Sequence, residues 1–156
     1  MRTITIENKL MNEDWALCKK NGSDFRSRGE LAEAIKWYSK ALDHTSMVPA
    51  LDIASLHNII AALYMRVDDP ESAEASARAS LRLEQEFGDC GRETTRLATY
   101  YGMLARTLER QGKYREAAEY VGKSVELLEA LLGPDNDVTR AKIDYYNSLK
   151  QKSWKG

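Results

Sequence analysis

The sequence predicts an all-α protein: a right-handed α-solenoid of about three helical hairpins closed by a C-terminal capping helix, about seven helices in all. Three observations carry that expectation. Ala, Leu, Glu, Arg and Lys dominate the 156 residues, and these residues lose little on entering a helix. Proline occurs only at Pro49, Pro70 and Pro134, each where a helix should start or stop, because proline lacks the backbone donor and clashes with the preceding turn. A skeleton of small and apolar residues recurs three times, with Ala34, Ala73 and Ala117 spaced 39 and 44 residues apart.

Residues 1–11 read as an N-terminal extension, in which Thr3-Ile4-Thr5-Ile6 alternates and suggests a short extended or partly disordered segment. The repeat domain is expected over 12–152, with hairpins at about 12–44, 50–87 and 92–132, a cap at 137–152 and a tail at 153–156. The first hairpin carries Gly22, Phe25 and Gly29, then Leu31, Ala34, Ile35, Tyr38, Ala41 and Leu42. The second is weaker: His57, Ile60, Ala61 and Tyr64, then Ala73, Ala77, Ser80 and Leu81. Asp68-Asp69-Pro70 stands where its turn glycine is expected. In the third, Leu97, Tyr101, Leu104, Ala105 and Leu108 recur at helical spacing and define one apolar face. Gly112 ends that helix, since glycine takes the left-handed conformation without a steric penalty. Ala117 and Ser124 lie seven apart on the following helix, where small side chains let two helices approach. No hairpin can bury its apolar stripes alone, so stacked neighbours supply the core. After Pro134, Thr139-Arg140 and Tyr145-Tyr146 echo Thr95-Arg96 and Tyr100-Tyr101. The last helix therefore reads as an unpaired first helix that covers the end of the stack. Tyr38, Tyr64, Tyr101, Tyr114 and Cys18 are expected in the core. The pattern leaves Trp15, Trp37, Tyr100 and Trp154 undetermined.

The stretches Gly22-Ser23-Asp24-Phe25, Gly29-Glu30-Leu31, Ala34-Ile35-Lys36-Trp37-Tyr38-Ser39-Lys40-Ala41-Leu42 and Gln111-Gly112-Lys113-Tyr114-Arg115-Glu116-Ala117-Ala118 resemble the tetratricopeptide repeat (TPR) family. The resemblance covers about residues 12–150. The spacings exceed the family's usual repeat of roughly 34 residues. Together with Leu131-Leu132-Gly133-Pro134-Asp135-Asn136-Asp137-Val138, they are similar to the longer repeats of kinesin light chain. The resemblance implies a non-catalytic adaptor that binds another protein through a peptide or extended segment. Some members of the family grip the C-terminal carboxylate of heat-shock chaperones with a Lys and Asn set. Lys19 matches the lysine of that clamp. Ser23 and Ile59 replace its asparagines, and Thr99 and Met103 replace the cations of its third helix, so the clamp is expected to be absent.

Composition excludes several other classes. The chain has 23 basic and 24 acidic residues and a formal net charge of −1, which gives no global field to attract nucleic acid or an anionic membrane. No run approaches the roughly 18 apolar residues that span a bilayer. Met1 to Met11 lacks the continuous apolar core of an export signal. The expected location is therefore cytoplasmic, and Asn21-Gly22-Ser23 reads as a chance match to the glycosylation pattern. His44 and His57 form no two-histidine metal motif, and Cys18 and Cys90 have no metal-like spacing. There is no phosphate loop, dinucleotide fingerprint or serine elbow. No catalysis, cofactor or metal is expected, and His57 is read as a structural histidine.

In a stack of helical hairpins the first helix of each pair lines the concave side. The residues expected to face that groove are Lys19, Ser23 and Arg26 (with Ala16 and Ser27), then Asn58, Met65 and Arg66 (with Ser55 and Ala62), then Thr99, Arg106 and Arg110 (with Gly102 and Glu109). Lys19, Arg26, Arg66, Arg106 and Arg110 face one acid, Glu109, which points to an acidic segment or a free C-terminus as the partner's contribution. The bland alternative is a solvated helical face. Two further function classes remain: a structural, self-assembling module acting through its ends or C-terminal helix, and a regulatory domain that holds a small ligand or acts on an enzyme in trans. The sequence leaves the oligomeric state open.

Overall fold

The computed structural model describes residues 2–88 and 94–155; Cys90 and the expected start of the third hairpin lie outside them. Among the described residues there are seven helices and no strand. They are α1 (Arg2–Ser27), α2 (Leu31–Ala41), α3 (Ala50–Arg66), α4 (Pro70–Phe87), α5 (Thr94–Arg110), α6 (Tyr114–Leu132) and α7 (Asp137–Trp154). Helices α1/α2, α3/α4 and α5/α6 pair as hairpins, each hairpin packs on the next, and α7 lies against α6. The N-terminal expectation is corrected: α1 begins at Arg2, so Thr3–Ile6 is helical rather than extended. A helix already nucleated gains one hydrogen bond per added residue, whereas a lone four-residue strand has no ladder partner. Helix α7 also runs to Trp154, beyond the expected end at 152, a difference of the size by which helix ends commonly vary.

The three turns inside the hairpins are built alike. Gly29 and Gly112 take φ of 79° and 74°. Beyond them, the N–H groups of Glu30 and Lys113 donate to the carbonyls of Phe25 and Leu108 at 3.0 and 2.9 Å, bonds that close a helix C-terminus. In the second hairpin Asp68 occupies the same place at φ 61°, and the N–H of Asp69 donates to the Tyr64 carbonyl at 2.9 Å. The missing glycine thus leaves the turn unchanged, because aspartate is among the few other residues that enter the left-handed region. Asp69 then caps α4, its Oδ1 accepting from the Ser72 N–H at 3.0 Å, and Pro70 opens the helix where its missing donor is no loss. Asp68→Gly is expected to raise stability by about 0.5–1 kcal/mol, the left-handed penalty removed less the backbone entropy of glycine. Urea unfolding measures it. A loss of stability instead would mean that the Asp68–Arg110 ion pair, at 2.7 Å, outweighs the strain.

The core divides along α3. Leu56, Ile60 and Leu63 join Trp15, Cys18, Ala34, Tyr38 and Ala41 in one cluster. Ala54 and Ala61 belong to a larger cluster that reaches from α3 to α7 and includes Tyr100, Tyr101, Leu104, Leu108, Val121 and Leu149. Ala34, Ala73 and Ala117 expose nothing to solvent, so all three recurring alanines belong to the interior of the stack. Tyr38 and Tyr101 are buried, and Tyr64 and Tyr114 are partly so. Of the undetermined aromatics, Trp15 and Tyr100 are buried, Trp37 packs on the first cluster, and Trp154 is 85% exposed. Buried hydroxyls join helices across the hairpins. Ser124 Oγ donates to the Ala98 carbonyl at 3.0 Å and Thr139 Oγ1 to that of Leu128 at 3.4 Å, which meets the requirement that buried polar atoms find partners.

On the side made by the second helices, Glu74 ties the last two hairpins together. It accepts from Gln111 Nε2 at 2.7 Å and Lys113 Nζ at 3.0 Å, and pairs with Arg78 at 2.7 Å. Arg78 in turn reaches Glu116 at 2.6 Å. Burial opposes ionisation of Glu74, but the donors from Gln111, Lys113 and Arg78 outweigh it and hold its pKa at about 2. A carboxylate depressed on folding contributes stability above its unfolded pKa and loses it as pH falls through the folded value. The advantage of the parent over Glu74→Gln in melting temperature should therefore be full at neutral pH and fade between pH 4.5 and about 2. Circular dichroism melts across that range test it, and a difference that does not change with pH would refute it.

Candidate peptide-binding groove

Two of the first helices, α3 and α5, lie side by side. The backbones of α3 and α5 approach one another more extensively than those of α1 and α3. Between α3 and α5 lies a recess of about 490 Å³ lined by Ala62, Met65, Arg66, Met103, Arg106, Glu109 and Arg110. Its floor is apolar, with Met103 buried and Ala62 half-buried, and the three arginines are exposed at its rim. Methionine suits such a floor, because an unbranched, polarisable chain adapts to what rests on it. A second recess of about 350 Å³ lies between α5 and α7, lined by Thr99, Gly102, Arg106, Glu109, Lys142 and Tyr145. Arg106 and Glu109 belong to both.

The charges in this wall are unevenly satisfied. Arg110 is held by Asp68 at 2.7 Å. Glu109 accepts from Tyr145 Oη at 2.7 Å and from Lys152 Nζ at 2.5 Å. Burial alone would raise the Glu109 pKa, but the bonds from Lys152 and Tyr145 lower it. The Tyr145 phenol is raised by burial and by its bond to Glu109. Arg66 and Arg106 have no acidic partner among the described residues; Arg106 makes only a 3.9 Å contact with Met103 Sδ. Lys142 is half-buried and likewise unpaired, and burial together with the nearby Arg106 guanidinium lowers its pKa.

Met65, Arg66, Arg106 and Arg110 of the sequence-derived groove set converge on the first recess, and Thr99 lines the second. Asn58 lines neither; it is half-buried on α3, and its Oδ1 is buried without a hydrogen-bond partner among the described residues. Lys19, Ser23 and Arg26 also line neither recess, because α1 does not draw up against α3 as α3 does against α5. The Lys19 ammonium instead lies over the Trp15 ring, 5.1 Å from its centroid. Sequence reasoning passes over Lys142 and Tyr145 because it treats α7 as a cap. The signal that points to them is the echo between α7 and α5, since an unpaired first helix has a concave side like the others. His57 is half-buried, and burial followed by the nearby Arg82 lowers its pKa. Among the described residues no group of three or more His, Cys, Asp and Glu could hold a metal ion, and no described helix is long and apolar enough to cross a membrane.

Stacked helix–turn–helix units of this kind define a helical-repeat scaffold. The family model described as tetratricopeptide repeat matches residues 52–130, just over half of the chain. The protein belongs to the tetratricopeptide repeat family. No curated protein matches it by sequence. Among solved structures it is similar to the first TPR of Spaghetti (RPAP3), 20% identical with a TM-score of 0.63 over 91% of this chain and 92% of that one. It is also similar to the TPR2B domain of yeast Sti1, 14% identical with a TM-score of 0.67 over 90% and 98% of the two chains. The Sgt2 TPR domain from Aspergillus fumigatus is 19% identical, with a TM-score of 0.64 over 91% of this chain and 82% of that one. At these identities the likeness establishes the fold.

Proposed function

We propose that this protein is a non-catalytic, cytoplasmic adaptor whose concave wall holds an extended segment of another protein, rich in Asp or Glu or ending in a free carboxylate. The observation that carries this reading is the pair Arg66 and Arg106, without an acidic partner among the described residues at the rim of an apolar recess, while the neighbouring acids Asp68 and Glu109 are already engaged. Guanidinium groups offer carboxylates two parallel donors, and a concave wall concentrates a field that a balanced total charge conceals. Lys19, Ser23 and Arg26 on α1, with Asn58, would extend the groove toward the N-terminal hairpin, and Thr99 toward α7. Two of the similar structures are complexes: the RPAP3 domain is bound to the HSP90 peptide SRMEEVD, and the Sti1 domain is in complex with pHsp70. The peptide on the RPAP3 domain contains both Glu and Asp.

N-acetylated hexaglutamate serves as a probe before a partner is isolated by affinity purification. Arg66→Glu and Arg106→Glu should each weaken its binding about tenfold or more, the scale expected when a charge-assisted hydrogen bond is removed. Helicity and melting temperature should stay nearly unchanged. Binding of the parent should weaken with added salt, because exposed charges are screened over about 8 Å at physiological ionic strength. Equal affinity of both variants and parent at low salt would remove the groove from consideration.

A further inference from the structure

The recess between α5 and α7 has a charge imbalance that its own residues do not resolve. Arg106 from α5 and the half-buried Lys142 from α7 line it together, and neither has an acidic partner among the described residues. The one carboxylate in the recess, Glu109, is turned to Tyr145 and Lys152 instead. Gly102 makes room for the arrangement: a Cβ there would stand 2.9 Å from Lys142 Nζ. The ammonium therefore rests directly over the α5 backbone, beside Thr99 and next to a second cation. Two like charges share a recess of about 350 Å³, and partial burial makes the Lys142 charge costlier unless an anion joins it.

We propose that this recess is a phosphate-monoester site, and that the segment bound in the groove is read there at a phosphorylated serine or threonine. The inference rests on the groove reading above and adds the chemistry of one position. Charge balance selects phosphate over carboxylate. A carboxylate leaves one of the two cations uncompensated, whereas a phosphomonoester carries about −1.5 to −2 at neutral pH and three acceptor oxygens. Arg106 supplies the forked donors that suit such a group and Lys142 a point charge. Arg106 also faces the recess between α3 and α5, so the phosphorylated residue would sit at one end of the acidic segment. Phosphorylation of the partner would then strengthen its docking.

The test uses the full chain, labelled with nitrogen-15, and follows the Thr99 and Gly102 amides. The probes are a blocked Ala-phosphoserine-Ala peptide, its serine and glutamate counterparts, inorganic phosphate, and hexaglutamate. The phosphopeptide should shift both amides saturably and bind about tenfold or more tightly than the glutamate peptide, as expected for additional charge-assisted bonds. Lys142→Gln should abolish that preference. Gly102→Ala keeps every charge but displaces the ammonium, and it should weaken the phosphopeptide while the helical signal persists. Equal affinity for phosphoserine and glutamate, or an unchanged preference in Lys142→Gln, overturns the proposal. Inorganic phosphate binding as tightly as the phosphopeptide also overturns it, in favour of a free-anion site. Hexaglutamate separates the two readings. If it binds and Arg66→Glu weakens it while the phosphopeptide fails, the recess is wrong and the groove stands. If neither probe binds, both readings fall.

Discussion

Leu149→Ala should lower the unfolding free energy by about 2–5 kcal/mol, the cost of deleting a fully buried leucine and leaving its cavity. Leu149 lies late in the last helix, where a fraying cap would leave a side chain half in water. It is instead 0% exposed and part of the cluster that includes Leu104, Leu108 and Val121. Helix α7 is further tied to its neighbours by Thr139 on the Leu128 carbonyl and by Tyr145 and Lys152 on Glu109. The loss should therefore appear in one cooperative urea transition shared by the whole second core. A separate early transition with less than about 1 kcal/mol at stake would show that the last helix melts alone, as weakly coupled terminal repeats can.

Gly22→Ala and Gly122→Ala should move stability in opposite directions, although both replace a helical glycine. Alanine removes about 0.5–1 kcal/mol of backbone entropy cost at either site. At Gly22 the added Cβ would fall 2.7 Å from Cδ1 of Tyr38 and within 2.9 Å of two more atoms of that ring. Tyr38 is itself only 3% exposed, so the ring has nowhere to retreat. Overpacking of that kind costs about 1–3 kcal/mol, and the net change should be a loss. At Gly122 the nearest atom is Cε2 of Tyr146 at 3.4 Å, an ordinary contact, and the net change should be a gain. Thermal melts of both variants decide the matter. Stabilisation at Gly22 would show that α1 and α2 pack more loosely than the ring contact implies.

Much of this architecture was legible in one dimension. The seven helices among the described residues follow from periodicity and from where glycine and proline stand, and the recurring Ala34, Ala73 and Ala117 are all buried. Local chemistry suffices for such features: a turn needs a left-handed residue, and a buried stripe needs a period of 3.6. Asp68 was the hard case, since aspartate shows no overt turn signature until the bond from Asp69 to Tyr64 is seen. Thr3–Ile6 misled because four alternating residues carry too little pattern to outweigh the extension of a helix that begins beyond them.

The candidate site was legible only in part. Which residues lie on the open side of α3 and α5 follows from helical spacing, so Met65, Arg66, Arg106 and Arg110 could be named from sequence. How closely successive hairpins approach is a matter of packing between segments some 40 residues apart, and it places Lys19, Ser23 and Arg26 outside the recess that α3 and α5 share. Pairing of charges is equally a tertiary matter. Five groove cations were equivalent by spacing alone, yet Asp68 engages Arg110 while Arg66 and Arg106 have no acidic partner among the described residues, and α7 brings Lys142 to Arg106 from 36 residues away. The sequence by itself determined the repeat, its turns and the face each helix buries, because those depend on neighbours within one or two helical turns. Tertiary structure alone decided which charges are left without partners, because an ion pair forms over a few ångströms of space between residues that the chain keeps far apart.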